Sequence, residues 1–383
     1  MSRKPADAKL VLAGEIYTPR KRLRGGGLVF AGGKILGMGS AASAFRTARS
    51  LHDRSKPFGL EVLEFPDLAA VPGFVDIHLH GGGGAEIMEG TPAAVERALS
   101  AHLKNGTTSV LATVMTAARG DMLQAIAAVG RTAGRLPEIL GLHLEGPFLA
   151  GRKAGAQPAD HIRPFSAPEW RAFVEASGKT IRIATLAPEA AGAPAFLALL
   201  RKQGIVAAAG HSQASFDQAR EAFRRGLRHG THLFNAMSGI HHRDPGLAGA
   251  LLLDDSVSVE LIADGFHLHP SILDLVVRLK PPSKIILVSD ATRSAGIGVK
   301  PLRTKAGRLF GSSMTLARAV ANMAAWTKRP LEEILAMATE NPARLAGAYP
   351  RKGRLGRGAD ADVVLLDDRL EVRKVFLRGE EIW

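Results

Sequence analysis

The sequence predicts an α/β protein: a (β/α)8 barrel carrying a small β-sandwich domain built from both ends of the chain. Strand-like runs alternate with amphipathic helical stretches from Val71 onward, the pattern of βαβ units around a parallel sheet. Eight such units fit between Phe74 and Asp290, more than a doubly wound sheet usually holds. The segments before and after this region are rich in short strands and glycine turns. The expected boundaries are 1–70 and 346–383 for the small domain and 71–345 for the barrel.

In chain order, Leu10–Ala13, Leu28–Ala31 and Lys34–Met38 read as short strands, with Gly25–Gly27 and Gly32–Gly33 as turns between them. The barrel strands are expected at Phe74–His80, Ser109–Thr113, Ile139–Glu145, Ile181–Ala187, Val206–His211, Gly230–Phe234, Val257–Ala263 and Ile285–Asp290. Several are almost wholly apolar, as strands covered on both faces should be. Helical patterns fall at Ala93–Lys104, Asp121–Arg131, Pro168–Ala176, Pro194–Lys202, Ser215–Arg225 and Ser271–Leu279. Two more lie near Leu316–Trp326 and Leu331–Thr339, and Asn341–Ala343 starts the last helical turns. Asp362–Leu366, Arg373–Leu377 and Glu380–Trp383 return to strand character and complete the small domain.

Composition narrows the chemistry. With 383 residues, 46% of them hydrophobic, the chain can bury a large core, and no apolar run is long enough to span a bilayer. Glu15 interrupts the apolar stretch of Met1–Tyr17, which argues against a signal peptide and for a cytoplasmic location. There is no cysteine, so any metal must sit on histidine and carboxylate. The net charge of +14 raises the question of nucleic acid. The basic residues are spread, however, and the clusters Arg20–Arg24 and Arg351–Arg357 fall in turn-like segments without interleaved aromatics. An anionic small substrate uses that charge more economically.

Barrel chemistry sits where the strands end at the C-terminal face. That rule selects His78 and His80 on the first strand, Glu145 on the third, His211 on the fifth, His232 on the sixth and Asp290 on the eighth. His78 and His80 alternate along one strand and so share a face. Alone they could be ordinary histidines before the Gly81–Gly84 turn, but six convergent ligand types point to one or two divalent ions. The lesser alternative for Asp290 is a plain ligand or a strand-end helix cap.

Pro72–Asp76 leading into His-x-His resembles the first strand of the amidohydrolase superfamily. Gly141–Phe148, with its His-Leu-Glu-Gly-Pro-Phe run, resembles the N-acetylglucosamine-6-phosphate deacetylases within it. Ala209–Ser212, Thr231–Met237, Asp264–His267, Ser289–Ala291 and the glycine-rich stretch Gly353–Asp362 match the same family in order. The resemblance implies that Glu145, His211 and His232 hold one metal ion. It further implies that His78 and His80 hold a second, bridged by Glu145, the ions being Zn, Fe, Mn or Co. Asp290 would act as general base and then proton donor, and His267 would face the substrate. His143 would stand behind the metal or be a satisfied core histidine. Asn235, Ala236, His242 and Arg243 would bind a phosphate, Arg243 reaching into the neighbouring subunit of a homodimer. One position departs from the pattern: Gln157 stands where the family has a sugar-contacting histidine. The implied activity is removal of the acetyl group from N-acetylglucosamine 6-phosphate. A related amidohydrolase acting on another N-acyl sugar, cyclic amide or dipeptide is the nearest alternative, and a catalytically dead sugar-phosphate binder is the non-enzymatic one.

Overall fold

Gly73 separates two sheets. Upstream lie β1 (Ala8–Thr18), β2 (Lys21–Ala31), β3 (Lys34–Ser40), helix α1 (Ala41–Arg54) and β4 (Leu60–Pro72). Downstream comes the first barrel strand, β5 (Phe74–Leu79), buried along its whole length. No side chain fits at the junction, since a Cβ on Gly73 would lie 2.1 Å from Thr108 Oγ1. The computed structural model describes residues 8–18, 21–54, 59–136, 138–298, 302–304 and 307–383.

After β5 a short ribbon, β6 (Gly81–Gly82) and β7 (Ala85–Glu86), precedes the other barrel strands. These are β8 (Thr107–Met115), β9 (Ile139–Glu145), β10 (Ile181–Leu186), β11 (Val206–Ala209), β12 (His229–Gly230), β13 (Ser258–Leu261) and β14 (Ile285–Leu287). They form one eight-stranded parallel sheet in sequence order. The ring closes where Leu79 bridges Ala291, Asp290 N donates to His78 O and His80 N donates to Ala291 O. Seven of the eight strands coincide with runs legible in the sequence; the sixth, β12, shares only Gly230 with the expected Gly230–Phe234.

The helices are α2 (Pro92–Leu103), α3 (Arg119–Ala133), α4 (Ala167–Ala176), α5 (Ala193–Gln203), α6 (Phe216–Arg224), α7 (Gly246–Leu253), α8 (Pro270–Leu279), α9 (Leu316–Trp326), α10 (Leu331–Ala338) and α11 (Glu340–Leu345). Local signals set their ends. Ser215 and Gln218 form a reciprocal capping box at the start of α6, and His269 caps α8 by accepting from Ser271 N. The exception is α7, which periodicity does not reveal. Its residues 246–252 are buried on every side, so it has no polar face to betray a helical repeat.

A ribbon of β15 (Leu302–Arg303) and β16 (Leu309–Phe310) follows the barrel, and β17 (Val363–Leu366), β18 (Val372–Leu377) and β19 (Glu380–Glu381) rejoin the first sheet. That sheet is a single seven-stranded one in the order β19-β18-β17-β4-β1-β2-β3. The two faces expected of a sandwich come from this one sheet folding over its own core. Phe30 of β2 meets Phe376 of β18 edge-on with ring centroids 5.7 Å apart, within a buried cluster that also holds Val11, Ile35 and Val363.

Two expectations for this region need correction. Gly25–Gly27 does not turn the chain but lies inside β2. The glycines answer to close packing: a Cβ on Gly26 would meet Ile16 Cδ1 at 2.5 Å, and one on Gly27 would meet Ala44 Cβ at 2.5 Å. Lys21–Arg24 likewise opens that strand rather than a turn, with Arg22 paired to Glu15. Helix α1, unforeseen, covers the outer face, setting Ala44 and Ala48 against Leu10 and Val29. Of the Met1–Tyr17 stretch, residues 1–7 lie outside the described residues, as does Arg20 of the Arg20–Arg24 cluster, and residues 8–17 belong to strand β1. Among the described residues no helix is long and apolar enough to cross a membrane.

Candidate active site

The six strand-end residues meet at the C-terminal mouth of the barrel. Glu145 Oε1 lies 2.9 Å from both His211 Nε2 and His232 Nε2, and these two nitrogens are 3.1 Å apart. Beside them His78 Nε2 and His80 Nε2 are 3.2 Å apart, with Asp290 Oδ1 at 3.5 and 3.4 Å. Glu145 stands between the groups, its Oε1 3.6 Å from His78 Nε2 and its Oε2 3.3 Å from His80 Nε2. His211, His232 and Asp290 all follow the regular strands with positive φ (47°, 29° and 47°). Residues other than glycine adopt this backbone at a cost, and it concentrates at functional sites.

The hydrogen-bond pattern tests whether these residues suit a cation. His78 Nδ1 faces Glu260 Oε2 at 2.9 Å and His211 Nδ1 faces the Lys153 carbonyl at 2.9 Å. Both acceptors require a ring proton on Nδ1, which leaves Nε2 of a neutral ring as a bare lone pair. In the neutral rings those lone pairs would face carboxylate oxygens, His211 against Glu145 and His78 against Glu145 and Asp290, so a cation must stand between them, either a proton on Nε2 or a metal ion. Glu145, Asp290 and Glu260 add three buried carboxylates. Uncompensated charge of this kind is costly in a barrel interior. Burial opposes a charge on His78, yet Glu260, Glu145 and Asp290 outweigh it and hold the imidazole well above its ordinary value. The cluster therefore calls for positive charge, and its N and O donors suit a divalent metal.

Behind the ligands lies a network that sequence reasoning missed. Glu260, in β13, accepts from His78 Nδ1, from His229 Nε2 at 3.0 Å and from His232 N at 3.0 Å. The signal was present: an acidic residue inside an apolar barrel strand must find partners in the interior. His143 is a satisfied core histidine, donating from Nδ1 to Ile77 O (3.1 Å) and accepting at Nε2 from Thr185 Oγ1 (2.7 Å). Burial, reinforced by the charge on His78, pushes it down to about 3. Of the neighbouring trio His78, His143 and Glu260, the first and last are hydrogen-bonded to each other and His143 is satisfied by Ile77 O and Thr185, so no ion is needed between them.

A pocket of about 260 Å³ opens over the cluster. Its wall includes Gln157, Asn235, Ala236 and His267, four of the residues expected to meet substrate. Burial opposes charge on His267, but Asp264 Oδ2, 2.7 Å from its Nδ1, outweighs this and raises the imidazole above its usual value. The ring therefore presents Nε2–H as a donor. Burial favours a neutral Asp290, but the charge on His78 and the His80 hydrogen bond prevail and keep its carboxyl below the ordinary range. His242 and Arg243 do not line this pocket; they sit on an exposed hairpin, with Arg243 Nη1 2.8 Å from His242 Nε2. The guanidinium that does line it is Arg308, beside β16, hydrogen-bonded to Gly155 O at 3.2 Å. Sequence reasoning passed over it.

A closed parallel barrel with histidines and carboxylates gathered at its C-terminal mouth is the arrangement of (β/α)8 hydrolases, and its cluster is a candidate site for divalent metal. Residues 69–382 match the amidohydrolase family, and the chain belongs to it. A similar protein is the N-acetylglucosamine-6-phosphate deacetylase of Bacillus subtilis, 34% identical over 85% of this chain and 87% of its own. The N-acetylgalactosamine-6-phosphate deacetylase of Escherichia coli O157:H7 is 33% identical over 85% of this chain and 90% of its own. Among solved structures, N-acetyl-D-glucosamine-6-phosphate deacetylase from Mycobacterium smegmatis, in a complex with N-acetyl-D-glucosamine-6-phosphate, superposes with a TM-score of 0.88. It is 32% identical, over 98% of this chain and 99% of that one.

Proposed function

We propose that this enzyme hydrolyses the acetamide of N-acetylglucosamine 6-phosphate, giving glucosamine 6-phosphate and acetate. The observation that carries the reading is the meeting of four imidazole nitrogens with Glu145 and Asp290 beneath a pocket whose wall holds His267. Glu145, His211 and His232 would hold one divalent ion, and His78, His80 and Asp290 a second. Such an ion, when bound, polarises the amide carbonyl and lowers the pKa of water toward about 7.

The chain's own groups carry the protons. Asp290, ionised in the folded protein, takes one proton from the attacking water as the C–O bond forms. It returns that proton to the amide nitrogen as the C–N bond breaks, so that the amine leaves neutral. His267 donates from Nε2 to a substrate oxygen, its charge sustained by Asp264. Asn235 and Ala236 edge the pocket and offer polar groups to the sugar phosphate.

Arg243 lies outside its own pocket on an exposed hairpin, which suits a residue that completes the phosphate site of a second copy in a homodimer. A substrate carrying phosphate does not cross bilayers unaided, which fits a cytoplasmic enzyme. The similarity to an N-acetylgalactosamine-6-phosphate deacetylase favours a second reading, the C4 epimer.

Product analysis decides between them. The metal-loaded protein should release acetate and amino-sugar phosphate one for one, with kcat/KM higher for the glucosamine than the galactosamine derivative. The reverse order installs the second reading; no release from either overturns both.

A further inference from the structure

The metal reading rests on Glu145 being held in one orientation, and the structure shows what holds it. Gln157, buried in the pocket wall, spends both ends of its amide on fixed partners. Thr116 N is 2.8 Å from Gln157 Oε1, and Gln157 Nε2 is 2.5 Å from Glu145 Oε2. The orientation of the amide is forced. A backbone N–H can only donate, so it must meet the amide oxygen, and a carboxylate can only accept, so it must meet the amide nitrogen. Flipping the group would set donor against donor at one end and acceptor against acceptor at the other.

Gln157 also ends a segment that grips a second ligand. His211 Nδ1 donates to Lys153 O at 2.9 Å, and Ala150 N donates to His211 O at 3.0 Å. Gly155, at φ +63°, lies so close that a Cβ would touch His211 Cε1 at 3.2 Å. The stretch from Ala150 to Gln157 thus orients both Glu145 and His211.

We propose that Gln157 is a positioning residue for the metal centre rather than chiefly a sugar contact. By donating to Oε2 it turns Oε1 toward His211 and His232, and it sets the angle at which Oε2 is offered to the His80 side. The position where the resemblance leads one to expect a sugar-binding histidine has here been joined to the metal ligands. This inference rests on the metal-centre reading above.

The test is Zn²⁺ affinity, measured by competition with a chromophoric chelator on the full-length protein, for wild type, Gln157→Leu and Gln157→Met. Neither variant can donate to Glu145; the methionine keeps the length of the side chain and serves if the leucine variant does not fold. Removing a hydrogen-bond partner of a metal ligand typically weakens binding about 10–100-fold, and that loss is expected for the tightest Zn²⁺ in both variants. KM measured at saturating Zn²⁺ should change less than the Zn²⁺ affinity does. Zn²⁺ affinity within about twofold of wild type, with KM raised, would overturn the proposal and return Gln157 to substrate binding. Unchanged Zn²⁺ affinity with only a lowered melting temperature of the metal-free protein would overturn it in favour of a loop tether. Wild-type protein that takes up no Zn²⁺ would overturn the metal reading itself, a result distinguishable from either.

Discussion

Replacing Glu260 by glutamine should weaken metal retention at the His78–His80–Asp290 position about tenfold while leaving the barrel folded. The carboxylate accepts three hydrogen bonds, from His78 Nδ1 (2.9 Å), His229 Nε2 (3.0 Å) and His232 N (3.0 Å). A carboxamide has one acceptor oxygen, so the orientation it adopts matters. With its oxygen at the Oε2 position it keeps His78 and His232, and its NH2 faces His229. His229 can then accept at Nε2 and move its proton to Nδ1, toward Ser258 Oγ at 2.8 Å, while that hydroxyl donates to Arg228 O at 3.3 Å. What is lost is the negative charge. A hydrogen bond to a charged group contributes about 1.5–3 kcal/mol against about 0.5–1.5 for a neutral one, so His78 loses roughly 1–1.5 kcal/mol of support. That is about a tenfold change in affinity. Glu260→Ala is a harsher change, leaving three buried donors unpaired at about 1–3 kcal/mol each, and should reduce the yield of folded protein. The assay is metal content by mass spectrometry after dialysis against graded chelator. Wild-type retention in Glu260→Gln would refute the reasoning, because His78 would then not depend on its charged partner.

Three further outcomes follow from the site. Asp290→Asn should keep the fold and slow turnover by about 10²–10⁴-fold, with metal content measured on the same sample; near-normal turnover at full occupancy would remove Asp290 from the chemistry. Arg243→Ala should lower kcat/KM for the phosphorylated sugar by about 10–150-fold and spare the unphosphorylated one, and mixed dimers with Asp290→Asn subunits should regain activity if the arginine acts in trans. Asp264→Asn removes the carboxylate that raises His267. A raised histidine keeps its proton beyond the ordinary value of about 6.5 and loses it, with the stability it lends, as pH rises through the folded value. The alkaline limb of the kcat/KM profile should therefore move to lower pH in Asp264→Asn, and an unmoved limb would show that His267 need not be charged.

The barrel and the convergence of its six strand-end residues were legible because their signals are local. Each ligand ends an apolar run, and strand alternation places His78 and His80 on one face. What was hidden depends on packing in three dimensions. Helix α7 has no exposed face, so its burial erased the periodicity that reveals other helices. Gly26 and Gly27 read as turn residues because their reason for being glycine, the approach of Ile16 and Ala44, lies across the sheet and on α1. Gln157 was visible only as a departure from a pattern. Its partner Glu145 is 12 residues away and Thr116 is 41, and nothing in the sequence announces that these two meet it. Glu260 could have been found from charge alone, and Arg308 could not, because its place at the pocket depends on a ribbon of two-residue strands.

The most direct test of the account is acetate release from N-acetylglucosamine 6-phosphate followed as one sample is stripped of metal by chelator and then titrated back with Zn²⁺. Activity should fall with the metal, return with it in proportion to occupancy in wild type, and fail to return in Glu145→Gln, which lacks the carboxylate lying between the two groups. Full activity in the stripped protein, or equal recovery in Glu145→Gln, would contradict it.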